Sequence, residues 1–152
     1  KNFGLYRERI GACSLIAKDS ATADISNSVM LSVVRSIYSM PPAHGADIVN
    51  TILSSTELTQ LWHSELDEMR SRINGLRSLI KESLATKDIA QDFSFIERQN
   101  GMFSFLGINK EQIARLQKEY GIYIVGSSRV NVAGVSHSNI EYFSNAVADV
   151  CK

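Results

Sequence analysis

The opening segment, Lys1-Asn2-Phe3-Gly4-Leu5-Tyr6-Arg7-Glu8-Arg9-Ile10-Gly11, concentrates the residue types with the widest chemical scope. A lysine amine can condense with a carbonyl or carry a proton, provided neighbouring charge and burial lower its pKa towards neutrality. An arginine presents a planar fork that matches a carboxylate or a phosphate through two parallel hydrogen bonds, which lysine does not reproduce. Spacing alone assigns less. A lysine before an apolar run reads as a solvated charge, and Arg7-Glu8-Arg9 as a surface ion pair. Arg35 on a helical pattern and Arg129 at the start of an apolar run read equally well as surface residues. His44, His63 and His137 share no ligand spacing, so no metal site is expected. Cys13 and Cys151 are too far apart to suggest a disulfide framework or a metal pair and read as inert, reduced thiols.

The elements that must carry these groups are legible from periodicity. Ile10 to Ala17 is a short apolar run that reads as a buried strand. Asp19, Ser20 and Thr22 offer caps for a helix to Ile37, with Ile25, Val29, Val33 and Ile37 at every fourth position. Met40-Pro41-Pro42 blocks its continuation. A short helix is expected over Ala46 to Leu53, then a long one from Ser55 or Thr56 to Leu84. Trp62 lies on the apolar line of that long helix and reads as packing. Phe93-Ser94-Phe95-Ile96 and Met102-Phe103-Ser104-Phe105 alternate with period two around Asn100-Gly101, which suggests a hairpin. Asn109 with Gln112 resembles a capping box for a helix to Tyr120. Ile122 to Val125 and Arg129 to Ala133 are further candidate strands, and Ser138 with Glu141 should cap a last helix through Val150. The expected class is α/β, with the long helix bridging residues 1–68 and a second domain of residues 69–152.

Composition excludes several functions. Sixteen basic and sixteen acidic residues cancel, so no global basic field exists to draw in nucleic acid or an anionic membrane. No apolar run approaches the roughly 18 residues a bilayer requires, and no signal peptide is visible, so a cytoplasmic location is expected. The chain starts on Lys rather than Met, which suggests a piece of a longer protein.

Four motifs shift the balance between these readings. Lys1 to Gly11 resembles the cofactor-lysine motif Ser-x-Ser-Lys-Asn-Phe-Gly-Leu-Tyr-x-Glu-Arg-x-Gly of the aspartate/aromatic aminotransferase family, class I enzymes that use pyridoxal 5'-phosphate. Arg35-Ser36-Ile37-Tyr38-Ser39-Met40-Pro41-Pro42-Ala43-His44-Gly45-Ala46 is similar to that family's Arg-x-x-Tyr-Ser-Asn-Pro-Pro-x-x-Gly-Ala. Gln99-Asn100-Gly101-Met102-Phe103-Ser104-Phe105 matches its Asn-Gly-Met-Phe-Ser-Phe strand, and Gly126-Ser127-Ser128-Arg129-Val130-Asn131-Val132-Ala133-Gly134 is similar to Ser-Gly-Arg-x-Asn-Val-Ala-Gly. The four occur in the family's order across essentially the whole chain, most like the bacterial-type aspartate enzymes.

The resemblance implies the C-terminal portion of a fold-type I transferase: the end of the large domain, a long bridging helix and a small α/β domain. It implies that Lys1 holds pyridoxal 5'-phosphate as a Schiff base and shuttles the substrate proton, while Arg9 binds the cofactor phosphate. Arg129 would take the α-carboxylate of amino-acid and 2-oxo-acid substrates, with Phe103 in the apolar wall beside it. Arg35 would hold a distal carboxylate across the interface of a homodimer, which favours transfer from L-aspartate to 2-oxoglutarate. An aromatic-amino-acid aminotransferase is the close rival, and a non-catalytic association module the alternative of another class. An upstream sequence without a cofactor-binding half would favour the module. The family's other cofactor contacts precede the lysine, so these 152 residues alone are expected to be inactive.

Two positions depart from the family pattern. Met40 stands where Asn or Ser is usual, close to the substrate-side arginine. Ser128 stands in place of Gly before Arg129, and serine is strained there if the backbone needs a positive φ.

Overall fold

The side chain of Asp19 accepts a hydrogen bond from the Thr22 amide at 2.7 Å, satisfying one of the free donors at a helix start. The helix that follows is α1, Ser20–Ile37, in a computed structural model that describes Lys1–Lys152. It ends where Tyr38 turns extended ahead of Pro41-Pro42. Next come α2, His44–Leu53, and α3, Thr56–Ala85, whose first turn is supported by Ser55 accepting from the Leu58 amide at 3.3 Å. The chain divides into two compact units, Lys1–His63 and Ser64–Lys152, and α3 continues through the division.

In the first unit Gly45 is the one buried residue. The periodic apolar positions of α1, Ile25, Val29, Val33 and Ile37, are all exposed. The phenyl ring of Phe3 stacks on Trp62 with centroids 4.4 Å apart, so Trp62 does pack, against the opening turn. Ile10 to Ala17 does not form the expected strand: Leu15 and Ile16 face solvent and no ladder forms. A strand exists only through the partner that takes its backbone groups, and this run has none within the unit.

The second unit owns the hydrophobic core. Leu76, Ile80 and Leu84 of α3 pack with Phe93, Ile96, Leu106, Ile113, Leu116, Val130, Val132, Phe143 and Val147. Its elements after α3 are a 3-10 turn at Ser94–Arg98, β1 at Phe103–Phe105, α4 at Lys110–Tyr120, β2 at Arg129–Asn131, a 3-10 turn at Val132–Gly134, and α5 at Ile140–Val150. The capping box on α4 is complete: Asn109 accepts from the Gln112 amide, and Gln112 accepts from the Asn109 amide. Gly121 ends α4 at φ 62, a conformation glycine enters without a Cβ clash. Arg115 and Tyr120 of α4 both reach Asp149 of α5, at 2.7 and 2.8 Å. The Tyr120 hydroxyl, and behind it the Arg115 guanidinium, hold the Asp149 carboxyl below the usual carboxylate range.

Four features of this unit differ from the sequence expectation. Phe93 to Ile96 is not a strand, because the Asp92 carboxylate accepts from the Ser94 amide and hydroxyl and starts a 3-10 turn instead. Consequently β1 does not form a hairpin across Asn100-Gly101; it pairs antiparallel with the distant β2. Ile122 to Val125 half-buries Ile122 and Ile124 but joins no ladder, so the sheet has two strands rather than about four. Finally, Ser138 does not cap α5. Its hydroxyl meets that of Ser136, and Asn139 occupies the cap position without a side-chain cap bond.

Candidate functional site

In the first unit the opening segment folds back on itself. The Asn2 side-chain amide donates to the Ile10 carbonyl at 2.8 Å and closes a loop with Lys1 and Arg9 at its rim. Lys1, Asn2, Leu5, Tyr6, Arg9 and Ile10 line one polar cleft of about 250 Å³. Lys1 is exposed, its Nζ lying 4.9 Å from the centre of the Tyr6 ring. Arg9 donates from Nη1 to the Tyr6 carbonyl at 3.3 Å. Two non-glycine residues of this loop hold left-handed backbone, Phe3 at φ 52 and Arg9 at φ 54. Such conformations cost on the order of 1–3 kcal/mol each and persist where surrounding contacts over-determine them.

Those contacts are visible. The Phe3 ring is stacked on Trp62, and His44 and Gly45 at the start of α2 approach Glu8 and Ile10 at the other end of the loop. A Cβ added to Gly45 would lie 2.4 Å from Ile10 Cγ2 and 2.8 Å from Glu8 Cβ, so only glycine admits this approach. His44 Nδ1 sits 3.2 Å from the Glu8 carboxylate on the same contact. The Gly45-Ala46 motif therefore positions the segment that carries Arg9. An amine and a guanidinium on one small polar cleft suit a compact molecule bearing a carbonyl and a phosphate, so the donor set fits pyridoxal 5'-phosphate. Arg35 stands in the last turn of α1, exposed, where the helix dipole favours a cation. Met40 is exposed beyond the same helix end.

The second unit supplies a different constellation. In the β1–β2 pair Phe105 faces Arg129, Ser104 faces Val130 and Phe103 faces Asn131. Alternation buries Ser104 and Val130 and leaves Phe103, Phe105 and Arg129 on the open face. The Arg129 guanidinium lies over the Phe103 ring, 4.7 Å from its centroid, and makes no ion pair with a carboxylate of the chain. A planar cation resting on an aromatic face with its charge unneutralised is suited to an external carboxylate. Ser128, immediately before it, is buried at φ 63, the strained conformation expected if serine replaces a glycine here. Its hydroxyl accepts from the Gly107 amide at 3.1 Å, and its carbonyl accepts from the Leu106 amide at 3.0 Å.

Lys1 and Arg9 thus share one cleft, Arg129 and Phe103 share another surface, and Arg35, on α1, does not line the Lys1–Arg9 cleft. One participant escaped the sequence reading. Arg77 is buried in the second unit, donating to Ile96, Gly101, Phe103 and Ser104. The available signal was its place between Ile73 and Ile80 on the core-facing stripe of α3, where an apolar residue is the default.

Comparisons with known proteins agree on one family. The family model described as aminotransferase class I and II matches residues 1–147. The aspartate aminotransferase of Escherichia coli (strain K12) is 51% identical over 150 residues, 99% of this chain and 38% of that protein. The aromatic-amino-acid aminotransferase of Pseudomonas aeruginosa is 42% identical over 151 residues, 99% of this chain and 38% of that protein. Among solved structures, the aromatic-amino-acid aminotransferase of Burkholderia pseudomallei, covalently bound to pyridoxal phosphate, superposes with a TM-score of 0.90 at 43% identity. That match covers 97% of this chain and 37% of the other. The chain therefore spans 38% of the length of these curated relatives.

Proposed function

Because the chain belongs to the class I and II aminotransferases, we propose that it forms the C-terminal part of an enzyme that transfers the amino group of L-aspartate to 2-oxoglutarate. Residues 1–68 would complete the large cofactor-binding domain and 69–152 form the small domain. The observation that carries this reading is the convergence of Lys1 and Arg9 on one cleft.

When bound, pyridoxal 5'-phosphate supplies the sink for the electron pair released as the substrate Cα–H bond breaks. Lys1 would hold the cofactor through Nζ and, as a free amine, would take the proton from the substrate Cα. Arg9 holds the phosphate, and the Asn2–Ile10 bond and Gly45 fix the loop that presents it. Arg129 binds the α-carboxylate as a bidentate pair, steadied on the Phe103 ring. Arg35 receives the distal carboxylate of a substrate bound in the partner subunit of a homodimer, so a dicarboxylic substrate is favoured. A cytoplasmic location belongs to the same proposal.

A second reading has its own support. Met40 puts an apolar side chain where Asn or Ser is usual, and relatives named aromatic-amino-acid aminotransferases are 42% identical or close to it. Assay of the full-length enzyme with L-aspartate and L-phenylalanine, each against 2-oxoglutarate, separates the two. The aspartate reading predicts a higher kcat/KM for aspartate, and much faster turnover of phenylalanine would sink it. The 152 residues alone should not transaminate, and measured turnover by the pure chain would contradict the proposed division of labour.

A further inference from the structure

Arg77 is 1% exposed, yet no carboxylate of the chain pairs with it. A buried charge without a counter-ion is tolerated only when neutral dipoles replace its hydration. Here they come from three successive segments. Nη1 donates to the Ile96 carbonyl at 3.1 Å and to the Ser104 hydroxyl. Nη2 donates to the carbonyls of Gly101 at 2.6 Å and Phe103 at 2.9 Å. Nε has no partner, so the fork faces β1 and the turn before it at the expense of its own satisfaction. A single rigid cation thereby ties the 3-10 turn, the Asn100-Gly101 turn and β1 to α3. The residue whose carbonyl it grips, Phe103, is the one whose ring lies 4.7 Å beneath the Arg129 guanidinium.

We propose that Arg77 is a positioning residue for substrate-carboxylate binding, holding β1 so that the Phe103 ring supports Arg129. The inference rests on the reading of Arg129 as the α-carboxylate arginine. Lysine cannot substitute, because a point charge with a shorter reach does not span acceptors in three segments.

The test uses the full-length enzyme loaded with its cofactor. KM and kcat are measured for the amino donor and the oxo acid, and the Kd of succinate, a non-reacting dicarboxylate, by calorimetry. For R77K both KM values and the succinate Kd should rise roughly tenfold, with kcat within about threefold of the parent, the scale of one lost guanidinium–aromatic contact. S104A removes one acceptor with little change of volume and should move the same quantities in the same direction by a smaller factor. F103L removes the ring from beneath Arg129; in that background R77K and S104A should add nothing further.

Unchanged succinate binding in both R77K and S104A would overturn the proposal. So would an R77K effect of equal size with and without the Phe103 ring, which would mark Arg77 as a general stabiliser. Should R77K fail to fold, S104A and its dependence on Phe103 decide the matter alone. R129K separates the two levels: if it leaves succinate binding intact, the carboxylate reading itself has failed. If it weakens binding while R77K and S104A do not, only the positioning role has failed.

Discussion

Ser128 offers a test in which two opposing energies can be separated. Its backbone is held at φ 63, where an L side chain costs about 1 kcal/mol or somewhat more relative to glycine. Its hydroxyl accepts from the Gly107 amide at 3.1 Å, a bond worth about 1 kcal/mol net. Ser128→Ala deletes the bond and keeps the strain, so it should destabilise by about 1–1.5 kcal/mol. Ser128→Gly also deletes the bond but relieves the strain, less about 0.4–1 kcal/mol for the added freedom of the unfolded chain. The glycine variant should therefore lose about 0.4–1 kcal/mol relative to the parent, less than the alanine variant. With a urea m-value of about 2 kcal/mol/M, the alanine variant should unfold about 0.5 M earlier. Urea unfolding followed by circular dichroism reads this order directly. An alanine variant as stable as the parent would refute the role of the hydroxyl. A glycine variant less stable than the alanine variant would refute the strain.

Other consequences follow from the same contacts. Gly45→Ala places a Cβ 2.4 Å from Ile10 Cγ2, so it should displace the segment carrying Arg9 and raise the cofactor dissociation constant of the full-length enzyme about tenfold; an unchanged constant, read from cofactor absorbance, would contradict the positioning of Arg9 by α2. Asn109→Ala breaks the capping box on α4 and should cost about 1 kcal/mol in urea unfolding, whereas a loss below about 0.3 kcal/mol would show the box to be dispensable. The Asp149 carboxyl is held low by Tyr120 and Arg115, so its contribution is present above the ordinary carboxylate pKa and is lost as pH falls through the lowered value. The stability gap between the parent and Asp149→Asn should thus be full at pH 6 and close below about pH 4; a gap independent of pH would refute the linkage.

The starts of α1 and α4 were legible in the sequence because their cap chemistry is local. Asp19 with Thr22 and Asn109 with Gln112 lie within one turn of each other and need nothing from the rest of the chain. Strands were less legible because pairing is not local. Phe93 to Ile96 alternates like a strand, but the neighbouring Asp92 offers its backbone a nearer partner. Ile10 to Ala17 is apolar like a strand and finds no ladder in its unit. Within the candidate site, Lys1, Arg9, Arg35, Phe103 and Arg129 were found through motifs. No spacing rule reveals that Arg129 lies over Phe103, since that contact depends on the register of two strands far apart in sequence. Arg77 was hidden for a related reason: its four acceptors come from segments that only the fold brings together.

Lys1 carries the proposed function most directly. The full-length enzyme, loaded with pyridoxal 5'-phosphate and reduced with borohydride, can be digested and its labelled peptide sequenced by mass spectrometry. The predicted result is a single pyridoxyl group on the side-chain nitrogen of Lys1, in the peptide running through Asn2-Phe3-Gly4-Leu5-Tyr6. A label on another lysine, with Lys1 unmodified, would contradict the cofactor site and the function built on it.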